Sequence, residues 1–239
     1  MKIDYAIISS DNSHYLDFYK PVSIAWNHLG IKVLMFHITN EETDFVENKF
    51  GLLKKVKADP RFPTSWQAQL IRLYAYKYFT NISLLTSDID MMPLNADYFR
   101  KPTSNLEDDQ ILSYSNQPYG NVPYYPICYI LANCKTMQTA LGLQDDLTSF
   151  YESVYARYGT EWNTDEHFLY DQLQKHSKLK SLSLRDYSQD RIDRINWQYD
   201  PSLIQSGKYV DSHLLRPYVK YKKAIDDLAM QLIQTKVPR

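Results

Sequence analysis

Apolar runs of strand length alternate with helical patterns over residues 5–86 of this 239-residue chain. The predicted strands cover residues 5–10, 31–38, 52–56 and 82–86, and the predicted helices cover 14–29 and 65–79. A parallel strand follows another only through a crossover connection, which is usually a helix. The alternation therefore predicts an α/β fold with an open, Rossmann-like, mostly parallel sheet and helices on both faces.

The pattern changes beyond Pro93, where a Tyr- and Pro-rich loop at 117–126 separates two predicted strands and three predicted helices follow. The strands cover 111–114 and 127–132, and the helices cover 146–158, 165–176 and 218–235. No repeat, low-complexity tract or flexible linker divides the chain. We therefore predict a single domain over residues 1–239, in which about 1–92 and about 93–239 form the two walls of one cleft.

Two helix starts carry the spacing of a capping box. Thr64 and Gln67 fit such a box at the start of the helix predicted over 65–79. Asn163 and Glu166 fit one at the start of the helix predicted over 165–176. In a capping box the two side chains satisfy backbone amides that have no partner inside the helix. The spacing predicts that these four side chains cap their helices.

Charge and cysteine content limit the classes of partner. With 27 basic and 28 acidic residues the formal charge is -1, which gives no overall attraction to nucleic acid or anionic lipid. The locally basic segment 207–239 can sit near phosphates or form a solvated helix face. Cys128 and Cys134 fit neither a disulfide framework nor a Cys-x-x-Cys metal site. The apolar run at 3–8 is too short for a signal peptide or a membrane anchor, so the sequence predicts a soluble, cytoplasmic protein without a transmembrane segment.

The glycines exclude two common ways of binding phosphate. The chain has only 6 glycines and they lie far apart, so neither a Gly-x-Gly-x-x-Gly turn nor a P-loop can form. A bound diphosphate would therefore need a cation where other proteins use a glycine loop. The 21 tyrosines and 4 tryptophans offer faces that stack on bases and sugars, although tyrosine is equally common as a half-buried structural residue.

A pair of aspartates, Asp88 and Asp90, follows the strand predicted at 82–86. They stand in the sequence Ser87-Asp88-Ile89-Asp90-Met91-Met92-Pro93. An extended Asp-x-Asp at a strand end directs both carboxylates into the crevice where α/β proteins bind ligands. Oxygen ligands of this kind suit Mg²⁺ or Mn²⁺, which take further ligands from water and substrate phosphates. The alternative is a pair of acidic residues that cap a turn.

Three features follow one another along the chain: an N-terminal strand with a polar turn, a helix that carries Gln69 and Arg72, and a strand that leads into Ser-Asp-x-Asp. This order resembles the nucleotide-sugar glycosyltransferases of the GT-A fold, and the single-domain size is similar to that of glycosyltransferases encoded by chlorella viruses. The resemblance implies a viral enzyme with a nucleotide-sugar-binding half over about 1–92 and an acceptor-binding half with a C-terminal helix over about 93–239. It also implies Mn²⁺ or Mg²⁺ held against the donor diphosphate.

The resemblance implies a role for each polar residue of the expected cleft. Asp90 would bind the metal, Asp88 would contact the metal or the donor ribose, and His213 would be a further metal ligand. The remaining residues would contact the donor: Ser9, Ser10, Asp11, Asn12 and Ser87 at the nucleoside, Gln69 and Arg72 near the phosphates or the motif, and Lys208 and Arg216 at the leaving diphosphate. Each of these roles has a structural alternative. The residues 9–12 can be an ordinary polar turn, and His213 can be a packed histidine. Arg72 can form a surface salt bridge, and Lys208 and Arg216 can be plain surface charges.

Residues 162–167 resemble the acidic acceptor-site motif of inverting GT-A enzymes. Their sequence is Trp162-Asn163-Thr164-Asp165-Glu166-His167. The resemblance implies that Asp165 or Glu166 is the carboxylate base that takes the proton of the acceptor hydroxyl. Helix capping is the alternative for Glu166. Stacking surfaces for an acceptor sugar would come from Trp162 and from the loop residues Tyr119, Tyr124 and Tyr125.

The implied activity is metal-dependent transfer of a hexosyl or pentosyl group, with inversion, from a nucleotide-diphosphate sugar to a carbohydrate hydroxyl. The resemblance favours UDP as the carrier. Two other classes stay open from the sequence. A haloacid-dehalogenase-type phosphatase would use Asp88 as its nucleophile, although its aspartate pair usually follows the first strand. A carbohydrate-binding protein would use the tyrosine faces without catalysis, although the strand and helix alternation does not favour it.

Overall fold

The computed structural model describes residues 1–115, 122, 124–182 and 187–235, with only the backbone for 187 and 188. Its strands are β1 (Tyr5–Ser10), β2 (Lys32–Thr39), β3 (Val46–Asn48), β4 (Gly51–Lys57), β5 (Ser83–Thr86), β6 (Met91–Pro93), β7 (Ile111–Ser113), β8 (Ile130–Asn133), β9 (Leu179–Ser181), β10 (Arg191–Ile192) and β11 (Asp211–His213). Its helices are α1 (Ser13–Leu16), α2 (Tyr19–His28), α3 (Thr64–Tyr74), α4 (Ala96–Arg100), α5 (Cys134–Leu141), α6 (Leu147–Tyr158), α7 (Thr164–Leu173), α8 (Tyr187–Asp190), α9 (Pro201–Gln205) and α10 (Tyr218–Ile233). None of the helices in these described ranges has the length and apolarity that a bilayer crossing needs.

Within the described residues, eight strands form the central sheet, in the order β3-β4-β2-β1-β5-β8-β7-β9. The strands β4, β2, β1 and β5 pair in parallel. Six of the eight strands run in one direction, since β3 is antiparallel to β4 and β8 is antiparallel to both of its neighbours. The predicted α/β fold with a mostly parallel sheet is confirmed.

Alternate residues of the central strands point to opposite faces of the sheet, and helices cover both faces. Ala6 and Ile8 of β1 pack in a core with residues of α2, α4 and α10. Ile7 packs in a second core with residues of α3, α5, α6 and α7. All three side chains are fully buried. Burial on both faces explains why β1 is a continuous apolar run rather than an alternating one, and the predicted cover of helices on both faces is confirmed.

Most predicted elements are present, but several differ in extent. The helix predicted over 14–29 is two helices, α1 and α2. Gly30 follows α2 with a left-handed φ of 73°, a conformation in which glycine ends a helix without steric cost. The helix predicted over 65–79 ends at Tyr74 and continues as a 3-10 helix over Ala75–Tyr78. The strands β3, β6, β9, β10 and β11 were not predicted, because runs of two or three residues carry no periodic pattern.

The capping box predicted at the start of α3 is wrong. The N-cap residue is Pro63, and no side chain caps the helix there. Thr64 Oγ1 instead donates to Asp11 Oδ2 over 2.7 Å. The Gln67 amide bonds to backbone groups of the loop 59–62. Both side chains therefore join α3 to other segments.

The capping box predicted at the start of α7 is also wrong. Asn163 occupies the N-cap position without a side-chain cap bond. Its amide nitrogen lies 3.1 Å from His167 Nε2, one helical turn further along. The helix begins with two carboxylates in its first turn, Asp165 and Glu166, which suit the positive end of the helix dipole.

A second, three-stranded sheet joins distant segments in the order β10-β11-β6. β11 pairs with β6 in antiparallel register and β10 pairs with β11 in parallel. Because β6 begins directly after Asp90 and β11 ends at His213, this small sheet brings the two residues together.

Candidate active site

A cleft of about 550 Å³ opens at the carboxyl ends of the parallel strands. Its floor comes from the segments that follow β1 and β5, which are adjacent parallel strands and so end at the same edge of the sheet. Cavities of this size hold small organic ligands. The lining residues are Ser9, Ser10, Asp11, Asn12, Tyr15, Ser65, Ala68, Gln69, Arg72, Asp88, Ile89, Asp90, Ile127, Trp162, Asp165, Glu166, Arg194, His213 and Arg216.

Asp88 and Asp165 share one buried arginine. Arg72 donates through Nη1 to Asp88 Oδ1 and to the Ser87 carbonyl at 3.2 Å, and through Nη2 to Asp165 Oδ2 at 3.0 Å. The side chains of Arg72 and Asp165 are only 7% and 3% exposed. Cys128 Sγ accepts from the Asp88 backbone amide at 2.9 Å. One guanidinium therefore fixes α3, the aspartate pair and the start of α7 against one another.

This network separates the pKa values of the carboxyls around it. Burial acts to raise the pKa of Asp88, but the facing Arg72 guanidinium outweighs it and the pKa lies below its usual value. For Asp165 burial prevails and raises the pKa, although Arg72 opposes it. Burial, assisted by the charges of Asp165 and Asp88, raises the pKa of Glu166 from 4.5 to about 8. Glu166 therefore changes its protonation near neutral pH, as general acids and bases do.

Asp90 faces three nitrogen groups through one carboxylate oxygen. Its Oδ2 accepts from Arg194 Nη1 at 3.1 Å, and lies 3.5 Å from His213 Nε2 and 4.0 Å from Arg216 Nε. The pairing of β6 with β11 positions these groups, and the Leu214 amide donates to the Asp90 carbonyl at 2.9 Å. Asp90 therefore faces two guanidinium groups and an imidazole, whereas Asp88 is bonded to Arg72.

The aspartate pair lies in a turn. The Met91 amide donates to the Asp88 carbonyl at 3.2 Å, and Ile89 and Asp90 are the turn residues between them. The prediction that Asp-x-Asp is extended is therefore wrong, because the pairing of β6 with β11 redirects the chain directly after the motif. Both carboxylates still line the cleft, but they face different arginines.

The His213 ring lies between two carboxylates. Its Nε2 faces Asp90, and its Nδ1 lies 3.6 Å from Asp193 Oδ2. The strand that carries His213 is anchored by Asp211, which is fully buried and accepts two bonds from Arg191 at 2.8 and 2.9 Å. A carboxylate behind a histidine orients the ring and selects its tautomer for metal binding.

The polar turn after β1 is held by bonds to its neighbours. Ser9 Oγ donates to the Ala68 carbonyl in α3 at 2.5 Å, and Asn12 caps α1. The Asn12 amide donates to Ser10 Oγ at 3.1 Å, while Asp11 accepts from the first residue of α3. These bonds fix the turn against α3, so the turn is at once a structural joint and a wall of the cleft.

The structure brings most of the predicted site residues into this one cleft. Those that line it are Ser9, Ser10, Asp11, Asn12, Gln69, Arg72, Asp88, Asp90, Asp165, Glu166, His213 and Arg216. Lys208 is exposed and Ser87 is fully buried, and neither lines the cleft. The roles of all these residues stay predictions.

The predicted stacking residues differ in whether they line the cleft. Trp162 lines the cleft and is 79% exposed, and its carbonyl accepts from Gln69 at 2.9 Å. Tyr125 is buried, and its hydroxyl accepts from the side-chain amide of residue 174. Tyr124 packs edge-on against a histidine ring of α7 and does not line the cleft. Tyr119 lies outside the described residues.

The sequence reasoning missed Tyr15, Asp193 and Arg194. Tyr15 accepts from Arg216, whose guanidinium lies 5.5 Å from the centre of the tyrosine ring. Asp193 and Arg194 reach the site from the segment after β10. The sequence signal for them is a concentration of charge at 190–194 in a region without a predicted element.

The donors at Asp90 and His213 fit a divalent cation as part of its coordination. Over the described ranges, no group of three or more His, Cys, Asp or Glu side chains is arranged to hold a metal ion. Asp90 and His213 supply an oxygen and a nitrogen 3.5 Å apart in an open cleft, while Asp88 is paired with Arg72. Such a pair suits Mn²⁺ or Mg²⁺ when water and phosphate oxygens complete the coordination.

Solved structures similar to this chain include three glycosyltransferases, the class that the sequence resembles. A mutant β-1,4-galactosyltransferase 7 of Drosophila, in complex with manganese, UDP-Gal and xylobiose, has 11% identity, with 92% of this chain and 74% of that chain covered and a TM-score of 0.49. GlyE of Streptococcus pneumoniae TIGR4 has 12% identity, coverage of 97% and 51%, and a TM-score of 0.47. A glycosyltransferase involved in glycosylation of the major capsid of PBCV-1 has 10% identity, coverage of 93% and 100%, and a TM-score of 0.48.

This chain spans about half the length of the pneumococcal protein. No protein-family model and no curated protein sequence matches it.

Proposed function

We propose that the protein is a glycosyltransferase that moves a sugar from a nucleotide-diphosphate donor to a carbohydrate hydroxyl with the help of a divalent cation. One observation carries the proposal: a polar turn, an aspartate pair, three arginines and a carboxyl of raised pKa line a single cleft at the edge of a parallel sheet. Such an edge is where α/β proteins bind nucleotides. The resemblance to metal-dependent GT-A enzymes supports UDP as the carrier.

Asp90 and His213 would hold the cation, with Asp88 at the metal or at the donor ribose. When bound, the ion would act as a Lewis acid that stabilises the negative charge of the departing diphosphate. The carboxylate and imidazole donors, and the second carboxylate of Asp193 behind the ring, support this assignment. Mn²⁺ and Mg²⁺ both accept such donors.

The arginines would divide two tasks between them. Arg194 and Arg216 line the cleft beside Asp90, where they would neutralise phosphate charge. Arg72 already donates to Asp88 and Asp165, so it would hold these two carboxylates in position rather than bind the donor. Lys208 lies outside the cleft, which favours Arg216 over Lys208 for the diphosphate.

Glu166 is the stronger candidate for the catalytic base. The Asp165 side chain is bonded to Arg72 and is only 3% exposed, which leaves little access for an acceptor hydroxyl. The raised pKa of Glu166, about 8, makes its carboxylate a stronger base than usual, and its side chain lines the cleft. Asp165 Oδ1 accepts from the Glu166 backbone amide at 3.0 Å, so the Arg72 pair would position the first turn of α7.

The proposed reaction inverts the anomeric carbon. Glu166 would remove the proton of the acceptor hydroxyl while the hydroxyl oxygen attacks the anomeric carbon from the face opposite the diphosphate. The bond to the diphosphate oxygen would break in the same step, and Arg194 and Arg216 would meet the charge that develops there. The exposed face of Trp162 would stack on the acceptor sugar.

A screen of sugar nucleotides tests the proposal. UDP- and GDP-linked hexoses and pentoses are incubated with the protein in Mn²⁺, Mg²⁺ or EDTA, and release of free nucleotide is measured. We expect slow hydrolysis of at least one donor, stimulated by Mn²⁺ and lost in Asp90→Asn. Asp109→Asn, an exposed aspartate paired with Lys178, is the matched control. Absence of binding and of hydrolysis for every donor would contradict the proposal.

The same preparations distinguish a phosphatase. Asp88 is paired with Arg72 and its backbone amide is bonded to Cys128, so we expect no phosphate release from a simple phosphomonoester. Phosphate release that is lost in Asp88→Asn would favour the phosphatase that the sequence leaves open.

A further inference from the structure

One oxygen of Asp90, Oδ2, faces two guanidinium groups and an imidazole. Arg194 Nη1 at 3.1 Å is the nearest, and His213 Nε2 at 3.5 Å and Arg216 Nε at 4.0 Å face the same Oδ2. Asp90 itself is almost fully buried. Because Arg194 Nη1 is bonded to the same oxygen that faces His213 Nε2, a cation held between this oxygen and His213 would compete with Arg194 for Asp90 Oδ2.

Arg194 comes from a tight turn over Asp193–Asn196 at the mouth of the cleft. The Asn196 amide donates to the Asp193 carbonyl at 3.1 Å, and the Ile195 amide donates to Asp193 Oδ1 at 2.9 Å. Ile195 at the tip is 92% exposed, and the Arg194 side chain is 26% exposed. The turn holds its own shape by these bonds, and the arginine reaches from it toward Asp90.

The neighbouring arginine shows the contrast. Arg191, three residues earlier, donates two bonds to the fully buried Asp211. That pair anchors β10 to β11. Arg194 has a single bond to Asp90 and partial access to solvent, so it can leave Asp90 without disturbing the sheet behind it.

We propose that Arg194 occupies the cation position on Asp90 in the ligand-free protein and moves onto the donor's phosphate oxygens when the cation and the diphosphate bind together. The inference rests on the proposed function and adds to it the exchange of Arg194 between Asp90 and the diphosphate. A guanidinium stays charged at any pH that proteins tolerate, so it cannot give way to a cation by losing a proton and must move. Its fork of donors matches the phosphate oxygens of a diphosphate, which the proposed function would place in the same cleft.

The exchange couples two binding events. A cation that binds alone must displace Arg194 and leave its charge beside the new ion, where the two repel. A cation that arrives with a diphosphate displaces Arg194 onto a phosphate partner. Mn²⁺ and the nucleotide therefore strengthen each other's binding, and by linkage each does so by the same factor.

Direct binding measurements test the exchange without any assay of activity. Free Mn²⁺ is measured by electron paramagnetic resonance in titrations of the wild type, Arg194→Ala and Arg61→Ala, first without nucleotide and then with saturating UDP. Arg61→Ala removes the same charge from an exposed arginine that pairs with Asp59 and Glu152. We expect Arg194→Ala to bind Mn²⁺ roughly 3- to 10-fold more tightly than the wild type when no nucleotide is present.

The same variant should bind UDP less well once Mn²⁺ is saturating. We expect a loss of roughly tenfold, because a charge-assisted contact to phosphate is removed. Arg61→Ala should match the wild type in both titrations. Arg194→Lys keeps the charge and loses the fork, so its affinity for Mn²⁺ alone should stay near the wild-type value while its affinity for UDP falls.

The outcomes separate this inference from the function on which it rests. If the wild type binds UDP with Mn²⁺, and Arg194→Ala binds Mn²⁺ alone no more tightly than the wild type, the exchange is overturned while the proposed function stands. If the wild type binds no nucleotide with or without Mn²⁺, the proposed function fails, and the exchange fails with it. Tighter binding of Mn²⁺ together with weaker binding of UDP in Arg194→Ala supports both.

Discussion

The two ends of the aspartate pair differ in how their charges are held. Asp88, whose own side chain is 39% exposed, pairs with Arg72, which is buried together with Asp165, and each of these groups has a fixed partner. Asp90 lies among Arg194, His213 and Arg216, whose side chains are 26%, 23% and 38% exposed and all face one oxygen. The first arrangement costs much to break, whereas the second can exchange partners.

The comparison shows that two aspartates only two residues apart in sequence can belong to two different sites, one with fixed partners and one with exchangeable partners. Asp88 follows β5, a strand of the central sheet. Asp90 precedes β6 and belongs to the small sheet formed with β11. At the Asp88 end, called the buried end because Arg72 and Asp165 are buried, the contacts fix geometry and help to raise the pKa of Glu166. At the Asp90 end, the three partners are partly exposed and are suited to bind and release a charged ligand.

Glu166 gives the largest expected effect, because it is the proposed base and its burial, assisted by the charges of Asp165 and Asp88, raises its pKa. A base must be deprotonated, so with a pKa near 8 the transfer rate (kcat/KM) should rise with pH through that region. Glu166→Gln should lower the rate by roughly 10²- to 10⁴-fold and abolish this rise. Glu152→Gln, an exposed glutamate paired with Arg61, is the control. A pH profile that is unchanged in Glu166→Gln would exclude Glu166 as the base.

The same pKa predicts the direction of a change in stability. The folded protein binds a proton on Glu166 between pH 4.5 and about 8, where the unfolded chain has lost it. The contribution of Glu166 is therefore complete below pH 4.5 and is lost as the pH rises through about 8. Urea unfolding of Glu166→Gln across this range should show a smaller fall in the free energy of unfolding than the wild type shows.

Arg72→Met tests whether the buried end is as fixed as its contacts indicate. The substitution leaves the buried Asp165 without its partner, so the free energy of unfolding should fall by about 3–5 kcal/mol. Adding Asp165→Asn to Arg72→Met should restore part of the loss. Arg61→Met, in an exposed pair, should cost at most about 1 kcal/mol. A loss for Arg72→Met as small as that for Arg61→Met would remove the contrast between the two ends.

Asp193→Asn tests whether Asp193 supports His213 at the Asp90 end of the pair. Asp193 Oδ2 faces His213 Nδ1, while Oδ1 holds the turn through the Ile195 amide. Asparagine keeps the second contact and weakens the first, so the affinity for Mn²⁺ in the presence of UDP should fall by roughly 10- to 100-fold. Asp109→Asn serves as the control. Equal affinities in the two variants would show that Asp193 does not support the histidine.

Trp162→Ala gives the smallest expected effect. The exposed indole would stack on the acceptor sugar, so the KM for the acceptor should rise by roughly 2- to 10-fold. The bond from Gln69 goes to the Trp162 carbonyl and survives the substitution. UDP binding should therefore be unchanged, and a loss of donor binding with an unchanged acceptor KM would place Trp162 on the donor side.

The buried end could largely be predicted from the sequence, because it depends on local patterns. The runs that became β1 and β5 are buried on both faces, and residues that follow adjacent parallel strands must meet at one edge. The order of elements therefore predicted that the turn after β1, Arg72 and the aspartate pair would meet. It did not predict that Arg72 would bridge Asp88 and Asp165, because Asp165 comes from a helix far along the chain.

At the Asp90 end, the resemblance alone grouped Asp90, His213 and Arg216. Arg194 was not predicted, because its position depends on pairing between distant segments. Arg194 and Asp90 are 104 positions apart and meet through strands of two or three residues, which have no period to detect. The same limit explains the wrong capping box at Thr64, whose hydroxyl is bonded to Asp11 in another segment. The spacing of residues in a sequence identifies possible partners within the same helix. Thr64 instead bonds to a residue of another segment.

Calorimetric titration of UDP, with Mn²⁺ and with EDTA, tests most directly the central claim that Asp90 helps to hold a cation for the donor diphosphate. The wild type should bind UDP more tightly with Mn²⁺, and Asp90→Asn should lose that gain while melting at the wild-type temperature. UDP binding of equal strength with Mn²⁺ and with EDTA, unchanged in Asp90→Asn, would contradict the account.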